Sequence, residues 1–449
     1  MTVGIVTGES KSTDVSAQSS RPLSVGEYVI IDSQNGKILG LVEKSIISSE
    51  ALTDVRNFDE AIESKEVADL NSRDKNYKVK IGILGFLDKL QKGQVVLPAV
   101  PPLPGTSILE ATERDLGTIF SPGGKEWIRI GTLLRNTGIE AQINVNKIVS
   151  RHLGILAMTG MGKSNLVSLI AKHLSSLSGT LVIFDYHNDY ENLDVSKINY
   201  MTTKINPRLL PGDKLAEVIE LRENADKQQR VLRESFMDSV KQAKDFWTAL
   251  EESVSAYGHS TKGYADSASR VLDKIDDAKH RFSDILDPDC GDPVDLIKEG
   301  RVNVLNVAEL SERQANAALS YYLQELLQQR KESVWERKGK DSHKRAHRFL
   351  APIFVIIEVV QDDDQQQIAS AAESLSKDLL YQLPSLNIGD AILIGQWVNL
   401  PSLVHVDEVK GKKTGSDLDA VSEWSQTDKF KEIAKESTQG LIQKDLLLD

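Results

Sequence analysis

The chain has 449 residues, of which 40% are hydrophobic and 27% charged, a composition typical of a globular protein with two or three cores. Its single cysteine, Cys290, excludes an intramolecular disulfide and a zinc cluster. We find no signal peptide and no apolar run of about 18 to 20 residues that could cross a bilayer, so we expect a cytoplasmic protein. The net charge of −12 argues weakly against a protein that coats DNA over a broad face, but basic residues concentrated in a pore would still be compatible with DNA.

Residues 1–135 are predicted to form an N-terminal small β-barrel domain. Short β-rich runs alternate with turn residues through this region, as they do in small barrels. Asn35-Gly36 separates the runs Tyr28–Asp32 and Ile38–Val42. This dipeptide predicts a hairpin with a type I′ turn, because both turn residues must accept a positive φ.

The segment Ala157–Ser164, AMTGMGKS, predicts a phosphate-binding P-loop. It follows the apolar run LGILAM, read as a strand, and precedes LVSLIAKHL, read as a helix, which is the context that the motif requires. Glycines let the backbone curl so that its N–H groups converge on phosphate oxygens at the positive end of the helix dipole. Ala157 stands where the usual pattern has glycine, so the loop must tolerate an ordinary φ there. Strand, loop and helix together favour ATP binding over a chance glycine turn.

The residue types assign roles within this site. Lys163 is expected to reach the β- and γ-phosphates and to act in catalysis, while the Ser164 hydroxyl binds Mg²⁺. Glu358 follows the apolar strand Ile353–Ile357, as a Walker B acid does, and is interpreted as a catalytic and metal-binding residue. The nucleotide contacts are expected to come from Thr159, Gly160, Met161, Gly162, Lys163, Ser164 and Asn165.

Two further groups of polar residues leave alternatives open. Asp185 ends the strand after the P-loop helix, where such folds bind ligands, and is a candidate nucleotide contact. The same residue type also stabilises turns. His343 and His347 have a spacing that could bind metal, but three neighbouring basic residues oppose a cation. We interpret that segment as a basic loop that could meet phosphate, or as a plain solvated loop.

The order of elements predicts an α/β fold, namely a RecA-like P-loop NTPase core with a parallel sheet. Near-continuous apolar strands such as TLVIFD are typical of a sheet that is buried on both faces. We assign 136–205 and 300–410 to the core, 206–299 to a helical insertion, and 411–449 to a C-terminal tail that follows a predicted hairpin. One insertion helix carries a stripe at helical spacing that we interpret as core packing: Val271, Leu272, Ile275, Ala278, Phe282 and Ile285.

Several blocks in this order resemble the archaeal HerA family of the FtsK–HerA group: SRHLGILAMTGMGKSN, VIFDYHNDY, FVIIE and SLNIGDAILIGQWVNLPSLVHVD. The opening GIVTGESKSTDVSAQSSRPLSVGEYVIID resembles the barrel of that family, so the resemblance spans nearly the whole chain. It implies a homohexameric ring with double-stranded DNA in its channel, ATP between subunits, and a NurA-type nuclease as partner in end resection and repair by homologous recombination. It also implies that Arg151 acts on a neighbour's nucleotide and that the tail braces an adjacent subunit.

The sequence departs from the family directly after Glu358. Val359 replaces a second acidic residue, the expected catalytic base, and the sensor strand that should follow is not found. A doubly wound sheet cannot lose a strand and its crossover without exposing its core. We therefore hypothesise that segments, with an arginine finger among them, are missing on either side of Val359–Gln361. An intact mass of 49.7 kDa for the natural protein would instead mean that the deletion is real.

The favoured function is an ATP-driven motor on duplex DNA, in which water attacks the γ-phosphate. A secretion or conjugation ATPase of the same superfamily is the first alternative, and the lack of a predicted membrane span counts against it. The second alternative is a nucleotide-gated scaffold without catalysis, in which ATP sets ring assembly and a nuclease does the chemistry. A genuine Val359 at the position of the base would favour the scaffold.

Overall fold

The computed structural model describes residues 1–71, 74–151, 153–155, 157, 160–222, 224–283, 285–337, 349–357 and 386–409. Of the predicted site residues, Thr159 and Glu358 lie outside the described residues. The same holds for the basic loop with His343 and His347, for Val359–Gln361 and for the C-terminal tail. Within the described ranges, no helix is both long and apolar enough to cross a bilayer.

Six strands at the N-terminus close into a barrel in the order β1-β2-β5-β4-β3-β6, which confirms the predicted small barrel. The predicted hairpin joins β3 to β4, but its turn residues are Gln34 and Asn35, and Gly36 carries the positive φ of 127°. Apolar side chains such as Val29, Ile31 and Ile81 fill one core of the barrel. The elements of this region are β1 Thr2–Ser10, β2 Asp14–Ser19, β3 Tyr28–Ser33, β4 Gly36–Ser49, α1 Phe58–Leu70, β5 Lys75–Phe86, α2 Leu87–Leu90 and β6 Ser107–Glu110.

The rest of the described chain forms two further sheets and the helices around them. Its elements are α3 Glu113–Phe120, β7 Trp127–Leu133, β8 Glu140–Asn144, α4 Val145–Val149, α5 Lys163–Ser176, β9 Thr180–Asp185, β10 Ile198–Thr202, α6 Gly212–Val218, α7 Asp226–Ser235, α8 Asp238–Lys241, α9 Phe246–Ser260, α10 Ala265–Arg281, β11 Val302–Asn306, α11 Glu312–Arg337, β12 Ile353–Ile357, β13 Asp390–Leu393 and β14 Ser402–Val406.

One of these sheets is antiparallel, with the order β13-β14-β7-β8. The predicted C-terminal hairpin is present as β13 and β14, and β14 also pairs with β7. Gly131 of β7 permits that pairing, because a Cβ there would collide with the backbone carbonyl of His405. The predicted barrel domain, residues 1–135, includes Trp127–Leu133, which is β7. In the structure the barrel closes with β6, and β7 pairs in this second sheet instead.

The other sheet is parallel, with the order β10-β11-β9-β12. Every residue of β9 is buried, which explains why its sequence shows no polar alternation. Leu181 and Ile183 pack in one core with α5, while Val182 and Phe184 pack in another with α11 and the insertion. The predicted α/β core, with helices on both faces of a parallel sheet, is confirmed.

Strand β12 forms an edge of the parallel sheet, since β9 is its only partner among the described strands. Its five residues are all apolar, yet none is fully buried and Ile357 is 37% exposed. The strand expected at LGILAM is not formed by the described residues among 153–157, and no described strand pairs with them. An all-apolar strand is typical of the interior of a sheet, not of its edge. If a neighbouring strand is missing from the sequence, as hypothesised, then β12 is expected to lie at an edge in this way.

The insertion is helical, as expected, and has its own core against α11. The predicted core packing of the stripe on α10 and the residues after it is confirmed. Val271, Ile275 and Ala278 of α10 are buried together with Phe282, which follows the helix, and Leu272 and Ile285 pack against them. Arg208 joins separate parts of the insertion, because its guanidinium donates to the backbone carbonyls of Lys241 and Pro288 at 2.9 and 2.7 Å. The same group lies 5.3 Å from the centre of the Phe246 ring.

We expect Arg208→Ala to lower the free energy of unfolding by about 2–4 kcal/mol, because it leaves part-buried carbonyls without their charged donor. Chemical denaturation followed by far-UV circular dichroism measures the effect. Arg233→Ala removes an exposed arginine from α7 and should change stability by less than about 0.5 kcal/mol. Equal losses in the two variants would contradict the role given to Arg208.

Candidate nucleotide-binding site

The phosphate loop, residues Gly160–Ser164, leads directly into α5. Gly160 and Gly162 have φ values of 83° and 101°, in the left-handed region that favours glycine. Helix α5 begins at Lys163 and has no acidic residue in its first turn. The positive end of the helix dipole and the N–H groups of its first turn are therefore available to an anion. This arrangement can bind a phosphate group.

A distant part of the chain lies against the phosphate loop. The Gly389 N–H donates to the Met161 carbonyl at 3.3 Å, and a Cβ on Gly162 would lie 3.9 Å from the Gly389 Cα. Next to Gly389, the Asp390 carboxylate lies 2.8 Å from His405 Nδ1 across β13 and β14. The start of the β13–β14 hairpin thus lies against one side of the phosphate loop. This contact could not be predicted from the sequence, because more than 220 positions separate its two parts.

Ser164 contacts a carboxylate that the sequence analysis did not single out. Its Oγ donates to Asp189 Oδ2 at 2.6 Å, and Asp189 is half-buried. Both residues have oxygen atoms of the kind that Mg²⁺ prefers as ligands. When Mg²⁺ is bound to a protein, several of its ligands are usually water molecules. The described residues contain no group of three or more His, Cys, Asp or Glu side chains that could hold a metal.

Asp185 stabilises the turn that follows β9, which was one of the two roles considered for it. It is fully buried, and its Oδ1 accepts from the His187 and Asp189 N–H groups at 3.2 and 3.0 Å. Its Oδ2 accepts from the Tyr190 N–H at 3.1 Å. Both oxygens thus accept hydrogen bonds within its own loop, and the predicted contact of this carboxylate with the nucleotide stays a prediction. The effect of Asp185 on the site is to place Asp189.

The Asn165 side chain has structural partners in the segment after β14, and its predicted nucleotide contact stays a prediction. Its Nδ2 donates to the Asp407 carbonyl at 3.0 Å, and its Oδ1 accepts from the Val409 N–H at 2.9 Å. Arg129 of β7 binds the Asp407 carboxylate through two nitrogens, at 2.8 and 3.2 Å. These hydrogen bonds raise the pKa of the Arg129 guanidinium above its ordinary value. We call the pair of Asn165 hydrogen bonds the Asn165 clamp; it joins the first turn of α5 to the segment that follows β14.

The remaining predicted residues lie in different positions. Lys163 is half-buried at the start of α5, and Arg151 is exposed just after α4, so its action on a neighbour's nucleotide stays a prediction. Ile357 of β12 lies opposite Phe184 of β9, so β12 ends at the same edge of the sheet as Asp185. Glu358 comes next in the sequence, outside the described residues.

A parallel sheet with a phosphate loop at the start of helix α5 defines a P-loop NTPase. In this chain an N-terminal barrel precedes that domain in the sequence. Residues 128–326 match the family model described as the central domain of helicase HerA, and residues 3–89 match the HAS barrel domain. The first match begins within β7, in agreement with the pairing of that strand outside the barrel.

Full-length relatives give the same result. The chain is 30% identical over 489 residues to the DNA double-strand break repair helicase HerA of Sulfurisphaera tokodaii, covering 94% of this chain and 96% of that protein. It is 29% identical over 502 residues to the protein of the same name from Saccharolobus solfataricus, covering 97% and 98%. VirB4 of Thermoanaerobacter pseudethanolicus superposes with a TM-score of 0.45 at 13% identity, over 64% of this chain and 98% of that one. The chain belongs to the HerA helicase family, and its predicted class, an ATP hydrolase of helicase type, is confirmed by that membership.

The alignments also show that the relatives are longer within the matched region. The Saccharolobus alignment spans 502 positions, whereas 97% of 449 residues is about 436, so roughly 66 positions have no residue of this chain. A difference of this size agrees with missing segments beside Val359 and equally with a genuine deletion. The intact mass of the natural protein distinguishes the two.

Proposed function

We propose that this chain is an ATP-dependent DNA translocase that acts in double-strand-break repair. The observation that carries the proposal is the phosphate loop at the start of α5, in a chain whose relatives are named as helicases of that repair process. The parallel sheet holds this loop and the turn of Asp185 on neighbouring elements. ATP is the substrate, and Mg²⁺ is its companion ion.

Five parts of the site have a role in the proposed hydrolysis: the loop backbone, Lys163, Ser164, Glu358 and Arg151. Lys163 neutralises charge on the β- and γ-phosphates, and backbone N–H groups of Gly160–Ser164 hold the phosphates in place. Ser164 and Glu358 hold Mg²⁺, which when bound draws negative charge from the phosphate oxygens. Arg151 of a neighbouring subunit completes the site. A water molecule then attacks the γ-phosphorus, the bond from this atom to the β–γ bridging oxygen breaks, and ADP and inorganic phosphate are released together with a proton from the water.

The proposed assembly is a cytoplasmic homohexameric ring with double-stranded DNA in its channel. A NurA-type nuclease is proposed as the partner that degrades the DNA end. Because the net charge is −12, the basic residues that contact DNA must be concentrated at the channel. DNA binding should therefore weaken steeply as the salt concentration rises.

The test of the proposal is ATP hydrolysis with and without linear duplex DNA. We expect DNA to raise the rate and an unfolded peptide of equal mass concentration to leave it unchanged. Stimulation by peptide and not by DNA would instead support the secretion-type alternative.

A nucleotide-gated scaffold is the second candidate, and the direct passage from Glu358 to Val359 favours it. In that case ATP would bind without hydrolysis, and ring assembly would depend on nucleotide. Binding of ATP with no hydrolysis in the presence of DNA, by a protein whose intact mass is 49.7 kDa, would establish the scaffold and overturn the motor.

A further inference from the structure

Asp189 is a charged residue at the phosphate loop to which the proposed mechanism gives no task. Its carboxylate accepts the proton of the Ser164 hydroxyl at 2.6 Å, and Ser164 is the residue expected to bind Mg²⁺. We propose that Asp189 is a positioning residue for the cation: it orients the Ser164 hydroxyl before nucleotide arrives and binds a water of Mg²⁺ when Mg²⁺–ATP is present. This inference rests on the proposed function, since it concerns the same site.

The placement of Asp189 is built into the fold. Its own N–H donates to the buried carboxylate of Asp185 at 3.0 Å. On its other side, Tyr190 is fully buried and packs in the core that contains α5, and the Tyr190 N–H donates to the same carboxylate. Asn188, just before, has a positive φ of 57°, which turns the chain back toward the sheet. Buried anchors on both sides fix the backbone of Asp189, so its carboxylate faces Ser164 without a large entropic cost.

The hydrogen bond orients Ser164 in a useful direction. A hydroxyl has one proton and two lone pairs. While the proton points to Asp189, a lone pair of Oγ is free to face a cation on another side. Because Ser164 Oγ and Asp189 Oδ2 are 2.6 Å apart, Asp189 would be close to any ion held by this hydroxyl. A carboxylate beside a metal ligand can accept a hydrogen bond from a water of the metal.

The charge of Asp189 has opposite effects on the two forms of the nucleotide. It attracts Mg²⁺ and therefore favours Mg²⁺–ATP, but it repels the phosphates of ATP without the cation. Removal of the charge should consequently weaken binding of Mg²⁺–ATP while leaving binding of free ATP unchanged or tighter. A residue that only supported the loop would affect both forms in the same direction.

The experiment measures the affinity of the full chain for a fluorescent ATP analogue, once with excess Mg²⁺ and once with EDTA. We expect Asp189→Asn to reduce the ratio of the two affinities by about tenfold or more, as outer partners of metal sites do, without weaker binding in EDTA. Glu191→Gln, an exposed neutralisation two residues away, is the matched control and should keep the ratio of the unmodified chain. An unchanged ratio in Asp189→Asn, or an equal loss in both conditions, would overturn the inference.

A second variant covers the case in which Asp189→Asn does not fold. Asp189→Glu keeps the charge but moves the carboxylate by one methylene group. It should raise the Mg²⁺ concentration for half-maximal nucleotide binding several-fold, and an unchanged concentration would count against the inference. If the unmodified chain binds no nucleotide under either condition, the proposed function itself fails. If it binds with a Mg²⁺ advantage that Asp189→Asn retains, the proposed function stands and only the role of Asp189 is lost.

Discussion

Lys163→Ala is expected to lower the rate of ATP hydrolysis by at least about 10²–10³-fold. The ammonium group stands at the start of α5, directly after the two glycines of the phosphate loop. There it is placed to neutralise charge that develops on the phosphates in the transition state, and the loss of one such group costs about this factor. The loop backbone does not depend on the lysine side chain, so the variant should fold normally.

The measurement is steady-state hydrolysis at saturating linear duplex DNA, with the thermal midpoint as a check of folding. Lys172→Ala is the matched control, because Lys172 lies on the same helix, is half exposed, and forms a surface ion pair with Asp194 at 3.6 Å. A surface pair of this kind contributes little, and the control should hydrolyse ATP at the normal rate. Retention of more than a tenth of the activity in Lys163→Ala would refute the assigned site.

Asp185→Ala is expected to lower the free energy of unfolding by about 3–5 kcal/mol, because one buried and two part-buried N–H groups lose a charged acceptor at once. The three distances of 3.0 to 3.2 Å show that each bond is made. Hydrolysis should fall together with stability, since the turn that places Asp189 beside Ser164 is lost. The free energy is measured by chemical denaturation and the rate in the same assay.

Asp194→Ala provides the comparison for Asp185. It removes an exposed carboxylate nine residues later, whose partner is the surface residue Lys172. The change in unfolding free energy should stay within about 0.5 kcal/mol. If Asp185→Ala proved as mild as this control, Asp185 would not be the residue that holds the turn.

The phosphate loop could be predicted from the sequence because its determinants are local. Gly160 and Gly162 supply the positive φ values, Lys163 begins the helix, and all of them lie within a few positions. The core stripe of α10 and the buried strand β9 were predictable for the same reason, since their apolar spacing reflects the face or faces that they bury.

The surroundings of the loop were not predictable in this way. The contact of Gly389 with Met161 depends on the pairing of β14 with β7, which brings together residues far apart in the chain. Asp189 looked like one polar residue of a turn, because the sequence does not show that Asp185 turns its carboxylate inward. The side chain of Asn165 sits in a motif that binds nucleotide, yet its partners come from the segment that follows β14.

Sequence and structure both indicate that a strand is missing beside β12, at the edge of the parallel sheet. The sequence around Glu358 lacks the strand that a doubly wound sheet requires, and β12 has an uncovered apolar edge in the described part of the chain. A strand that supplied the missing hydrogen bonds would also give the residues before the phosphate loop a neighbour to pair with.

The Asn165 clamp has a consequence for how ATP affinity can be regulated. It joins the first turn of α5 to Val409, after which 40 residues of the chain follow. If nucleotide binding changes the affinity of a partner that binds at the clamp, then that partner changes nucleotide affinity by the same factor, because linkage is reciprocal. The clamp would then be the point at which such a partner affects ATP binding. A titration of nucleotide affinity against such a partner would give the coupling free energy directly.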